Sequence, residues 1–91
     1  MRIARGALDV ARIPFLSAAE RERVRTAYVA VTQPGRKVLA ISPTGVWGAT
    51  WGIADERIAR AEAMRRCEEF DGHRQQCFIY AVGNTVVEAW P

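Results

Sequence analysis

The stretch GVWGATWG, residues 45–52, holds two tryptophans and three glycines within eight positions. Side chains alternate across a strand, so an extended run here sets Trp47, Ala49 and Trp51 on one face. Gly48, Thr50 and Gly52 fall on the other. A face pared to bare backbone admits a very close neighbour, whereas a face carrying two indoles needs cover or a partner. A chain holding this stretch needs a sheet with two unlike sides.

The flanking sequence supplies the elements of such a sheet. Residues 1–16 carry no clear period, which predicts an irregular or short helical lead-in to a folded core over 17–91. Ser17 and Glu20 fit a capping box. Val24, Ala27, Tyr28 and Val31 follow at helical spacing, giving a first helix over 17–31 that Gln33-Pro34-Gly35 stops. Residues 37–41 and 46–51 read as strands joined by Ser42-Pro43-Thr44-Gly45, a type I turn. Closing that turn pairs Ile41 with Val46, so Leu39, Ile41, Val46, Gly48 and Thr50 share one face. Asp55 is a candidate N-cap for a second helix over 56–70, with Glu56–Arg60 and Glu62–Arg66 as i,i+4 pairs. Its buried stripe reads Ala59, Ala63, Cys67 and Phe70, flanked by Met64, and small residues there suit close approach to Gly48 and Gly52.

Residues 76–82 and 86–90 form a second hairpin. A two-residue loop would set Glu88 against the helix, and a lone buried carboxylate is costly. A three-residue loop pairing Val82 with Val86 is therefore expected. It sends Glu88, Trp90, Phe78 and Tyr80 to the aromatic side with Val38, Val82 and Val86. The expected fold is α+β in the order αββαββ. A four-stranded antiparallel sheet carries helix 2 on one face and helix 1 at least partly on the other, in a single domain.

Cys67 late in helix 2 and Cys77 at the start of the third strand both project into the helix–sheet layer. A disulfide between them closes a short loop and would contribute roughly 2.8 kcal/mol in the chain-entropy model. Two free buried thiols are the other reading. A disulfide implies the periplasm or the outside of a cell, and free cysteines a cytoplasmic setting. The opening MRIARGALDVARIPF has neither the continuous apolar core nor the small-residue cleavage site of a signal peptide.

Composition narrows the function classes. Net charge is +3, from twelve arginines and the single Lys37 against ten acidic residues. Runs such as ERERVR at 20–25 interleave signs instead of making a basic stripe. No apolar run approaches the ~20 residues that span a bilayer. Walker, nucleophile-elbow and dinucleotide-binding motifs are absent. His73, in DGHRQQC beside Asp71 and the two cysteines, matches no common zinc spacing, and no metal or other cofactor is expected.

Five aromatics on one sheet face, Trp47, Trp51, Phe78, Tyr80 and Trp90, amount to roughly 750–1,250 Å². A typical monomer exposes only about 300–600 Å² in its largest apolar patch. Helix 1, a second protein or a stacking ligand must cover the excess, and incomplete cover by helix 1 would leave a Trp-lined groove. The first expectation is a non-catalytic binding or interaction module. Trp47, Trp51, Tyr80 and Trp90 bury or stack on a partner that Arg36 or Lys37 orients. The partner is a protein, neighbouring domain or second copy, or a small ligand or glycan. The alternatives are a nucleic-acid-binding domain on the same platform and a small enzyme built on Cys67 and His73.

The stretch over 37–87 resembles an uncharacterised family of small bacterial modules. These have a glycine/tryptophan strand, an alanine-rich helix ending in cysteine, and a second cysteine opening a strand. The matching positions are Trp47, Gly48, Gly52, Ala59, Ala63, Met64, Cys67, Cys77, Tyr80 and Ala81. The resemblance implies an exported or periplasmic setting, often as a domain of a larger protein, and a paired Cys67 and Cys77. It implies no catalytic residues and no ligand.

Overall fold

A computed structural model describes residues 6–31 and 35–87. Strand β1 is Gly6–Ala7, and a single 3-10 turn spans Val10–Arg12. Helix α1, Ala18–Val24, widens into a π turn over Arg25–Val29. Strands β2, Arg36–Ile41, and β3, Trp47–Ile53, precede helix α2, Glu56–Phe70. Strands β4, Phe78–Val82, and β5, Thr85–Val86, follow. The sheet order is β1-β5-β4-β2-β3, and every neighbouring pair is antiparallel. The fold is thus α+β, with one helix on each face of an open antiparallel sheet. The short β1 adds a fifth strand beside β5.

Asp55 caps α2, its carboxylate accepting from the amide of Arg57 at 2.8 Å. Ala59, Ala63 and Cys67 are fully buried and pack on Val38 and Ala40. The helix lies so close to β3 that a methyl group on Gly48 would fall 2.8 Å from the carbonyl oxygen of Ala63. It would fall closer still to the nitrogen of Cys67. The Thr50 hydroxyl donates to the Ala59 carbonyl at 3.0 Å, so this buried hydroxyl is satisfied. Cys67 and Cys77 form a disulfide with Cα atoms 6.2 Å apart, tying the end of α2 to the start of β4. Gly52 is exposed instead of lying under the helix, where β3 bulges.

The stripe of α2 ends differently from the expected one. Phe70 is 71% exposed, and Asp71, four residues beyond Cys67, takes the buried place. At 3.6 residues per turn position 70 lies nearer the 59–63–67 line than position 71 does, but Asp71 is the C-cap, where the backbone leaves the helix and turns its side chain inward. Asp71 is accommodated there because the Thr44 hydroxyl donates to it, with the Ser42 hydroxyl bonded to that of Thr44.

On the other face Val24 and Tyr28 of the α1 segment are fully buried against Leu39, Ile41, Ala49, Tyr80, Ala81 and Val86. Ser17 caps the helix through the amide of Glu20 at 3.1 Å, but Glu20 turns to Arg23 and leaves the capping box half made. The lead-in contributes more than an irregular tail: Ile13 and Leu16 belong to the same core. The Tyr28 hydroxyl donates to the Gly83 carbonyl at 2.7 Å, fastening the helix to the β4–β5 hairpin.

Both hairpin registers differ from expectation by one residue. In the first, Gly45 donates to Ser42 as a type I turn requires, but Gly45 itself sits at φ +93°. A type I turn followed by a left-handed glycine makes a three-residue loop. Ser42 therefore closes on Val46, and Ile41 faces Trp47. Leu39 and Ile41 move to the α1 side, and Val38 and Ala40 to the α2 side. In the second hairpin Val82 pairs with Thr85 across the two-residue loop Gly83-Asn84. Gly83, at φ +61°, supplies the positive φ that a type II′ turn needs at its first position. Glu88, on which the three-residue loop was argued, lies outside the described residues. An irregularity where β4 meets Leu39 and Ala40 puts Tyr80 and Ala81 in one core cluster and Val82 in the other.

Gly48→Ala is expected to lower the unfolding free energy by about 3 kcal/mol, because backbone, not a flexible side chain, blocks the added carbon. Gly83→Ala should cost only about 1–2 kcal/mol. Comparison of urea midpoints checks both, and equal losses would show that the α2 approach is not limiting. Burial raises the pKa of both Tyr28 and Tyr80 above the ordinary phenol value. Their contribution is complete below about pH 10, the unfolded-state value, and is lost as pH rises towards the folded-state values. Phenolate absorbance should thus appear together with loss of near-ultraviolet circular dichroism. Tyrosines that ionise normally in a folded chain would contradict their burial.

Candidate functional site

Strand β3 forms one margin of the sheet, with β2 as its only strand neighbour among the described residues. Gly48 and Thr50 face Ala40 and Val38, and the Val46 carbonyl accepts from Ser42. In an antiparallel ladder hydrogen-bonding positions alternate, so the amides and carbonyls of Trp47 and Ala49, and the amide of Trp51, turn towards the open margin. The outward carbonyl of Ala49 accepts from Arg66 Nη1 at 2.9 Å. The same guanidinium lies 6.0 Å from the centroid of the Trp51 ring.

A groove of about 660 Å³ runs along this margin. Glu20 and Arg23 of α1 form one wall, and Arg65, Arg66, Glu69 and Phe70 of α2 the other. Trp47 and Trp51 line it between them. Trp47 is half-buried against the α1-side core, Trp51 is 37% exposed, and Phe70 is more open still. Charges in the groove are mixed and mostly paired. Arg23 meets Glu20 at 2.7 Å, and Arg65 bridges Glu62 and Glu69. Hydrogen bonding to Arg65 holds the Glu62 carboxyl below its usual value. Arg66 stands 3.9 Å from Glu62, because its head is turned to Ala49.

The expected binding residues separate into distinct settings. Trp47 and Trp51 come together in the groove. Tyr80 does not join them: it is 2% exposed, inside the core beneath α1. Lys37 is held elsewhere. Its ammonium donates to the carbonyls of Tyr28, Val29 and Val31 at 3.0, 3.3 and 3.3 Å, and lies 4.8 Å from the Tyr28 ring centroid. It closes the carbonyl end of the first helical segment, where a cation is favoured, and burial lowers its pKa. Arg36 is exposed at the start of β2, away from the groove lining. Trp90 lies outside the described residues. The groove arginines and Phe70 escaped the sequence reading because charged helix residues look like a solvated face. Phe70, three residues after Cys67, looks like core.

Glu68, Asp71 and Cys77 place ligand-type atoms within 4.8 Å of one another, but the Cys77 sulfur is bonded to Cys67. Glu68 accepts from the amides of Gln75 and Cys77, which orders the loop that carries His73. With both sulfurs in the disulfide, neither is a thiolate to pair with His73.

Among the described residues no helix is long and apolar enough to cross a membrane. Compared with family models, curated proteins and solved structures, the chain gives no significant match.

Lys37→Met should lower stability by about 1–2 kcal/mol, since three carbonyls lose a charged donor. Lys37 does not line the groove, and its ammonium is turned to the carbonyls of Tyr28, Val29 and Val31, so Trp51 emission should stay unchanged in the folded variant. A shift of that emission would show that Lys37 acts on the groove after all.

Proposed function

We propose that the protein is a non-catalytic binding module whose working surface is the groove beside β3. The observation that carries this reading is the pairing of Trp47 and Trp51 along a strand margin that no other described strand fills, walled by both helices. A sheet edge seven residues long with outward backbone groups is a liability unless something occupies it. Aromatic side chains beside it supply contact area at little conformational cost. The mixed, paired charges support a protein partner over nucleic acid, which favours an unbroken positive surface.

The disulfide supports an oxidising compartment, and the resemblance to exported bacterial modules supports the periplasm or the outside of the cell as that compartment. Removing both sulfurs with Cys67→Ser/Cys77→Ser, or reducing them, should cost roughly 2.8 kcal/mol. Indifference of the thermal midpoint to a reductant would count against an oxidising home.

Tryptophan emission tests the binding reading directly. Three probes are titrated separately into the whole chain: a capped peptide of sequence TVEVEVEVT, cellohexaose, and a single-stranded oligonucleotide. A saturable shift with at least one of them, lost in Trp51→Ala, supports the module. No saturable response to any probe would overturn it.

A further inference from the structure

The groove has a backbone as well as a side-chain chemistry, and together they select the form of its occupant. Three alternate residues of β3, Trp47, Ala49 and Trp51, present their amides to the margin, the first two with their carbonyls. Main-chain hydrogen bonds there would be sequence-tolerant, with specificity left to alternate side chains.

Arg66 already marks how such a bond is satisfied. Its Nη1 donates to Ala49, the carbonyl that an added strand's amide would reach. The guanidinium thus stands in for the missing strand. If it is displaced, it remains beside the groove with no close anion among the described residues, since the nearest carboxylate there, Glu62, is 3.9 Å away and engaged by Arg65 at 2.8 Å. An acidic side chain on the incoming segment would receive it in a charge-assisted bond. Among the described residues Arg66 is the lining cation with no carboxylate at hydrogen-bond distance, since Arg23 pairs with Glu20 and Arg65 with Glu62 and Glu69.

Sterics separate a single strand from a second copy of the chain. Helix α2 crosses directly over Gly48, one residue from Ala49. Two β3 strands paired edge to edge would lie about 4.8 Å apart. The two α2 helices would then sit nearer than the 8–10 Å that packed helices need. A lone extended segment brings no helix with it.

Resting on the binding-module reading above, we infer that the groove takes an extended acidic peptide as an added antiparallel or parallel strand on β3. Its apolar side chains lie on Trp47 and Trp51, and its carboxylates on Arg66.

The test uses TVEVEVEVT, its lysine counterpart TVKVKVKVT, and TVEVEVEVT N-methylated at alternate amides in either phase. Each is titrated into the whole chain to about 1 mM, a weak-binding limit, with amide hydrogen exchange followed by NMR. The glutamate peptide should bind and slow exchange of Trp47, Ala49 and Trp51 by at least about tenfold. One methylated phase and the lysine peptide should each weaken binding about tenfold or more. In Arg66→Ala the preference for glutamate over lysine should shrink, while binding of the glutamate peptide remains detectable.

Failure of the glutamate peptide to bind would overturn the inference. So would equal binding of both methylated phases and the parent, or binding that leaves those three amides unprotected. Self-association with the same amides protected would assign the margin to a second copy and overturn it too. Saturable binding of cellohexaose or the oligonucleotide alone would sink the peptide while leaving the binding module standing.

Discussion

The close contact between Gly48 and the backbone of α2 sets the geometry of the whole molecule. With no side chain on Gly48, the helix settles onto β3 at the level of Ala63 and Cys67. That depth lets three small buried residues, Ala59, Ala63 and Cys67, fill the layer with little volume. It also brings Cys67 within bonding reach of Cys77. Any larger residue at position 48 would lift α2 away from the sheet and loosen both the layer and the covalent tie.

The same contact shapes the groove. Because α2 lies over the last strand of the sheet and not over its middle, the outer side of the helix overhangs the margin. Arg65, Arg66, Glu69 and Phe70 then stand beside a strand edge that they neither cover nor abandon. On the opposite face α1 stops short of Trp51 while burying Tyr80 and much of Trp47. One helix covers most of the aromatic side, the other supplies a charged wall, and the gap between them is the groove. Core packing and the shape of the groove therefore share one cause.

Several elements were legible in the residues themselves. Helix α2 runs over the expected 56–70, because Asp55 caps it and Asp71-Gly72 ends it. The two unlike sheet faces follow from alternation in GVWGATWG, with Trp47 on the α1 side and Cys77 on the α2 side. The registers were harder, since a single left-handed glycine, Gly45, adds one residue to the loop and reverses the sidedness of β2. That signal was present in the turn's fourth residue. Phe70 and Asp71 were exchanged between surface and interior because hydrophobicity is a poor guide where a turn hydroxyl, Thr44, is waiting for a carboxylate.

By itself, the order of residues determined the element types, the pared and aromatic strand faces, and the reach of one cysteine to the other. These depend on contacts close in sequence, on alternation and on capping, all of which are local. Only the tertiary structure decided which strand became the margin, that Tyr80 was core while Trp51 stayed open, and that Lys37 closed a helix instead of facing a partner. It also brought Arg66 across 17 positions to the Ala49 carbonyl. Those outcomes depend on which distant surfaces compete for the same burial, and no single segment carries that information.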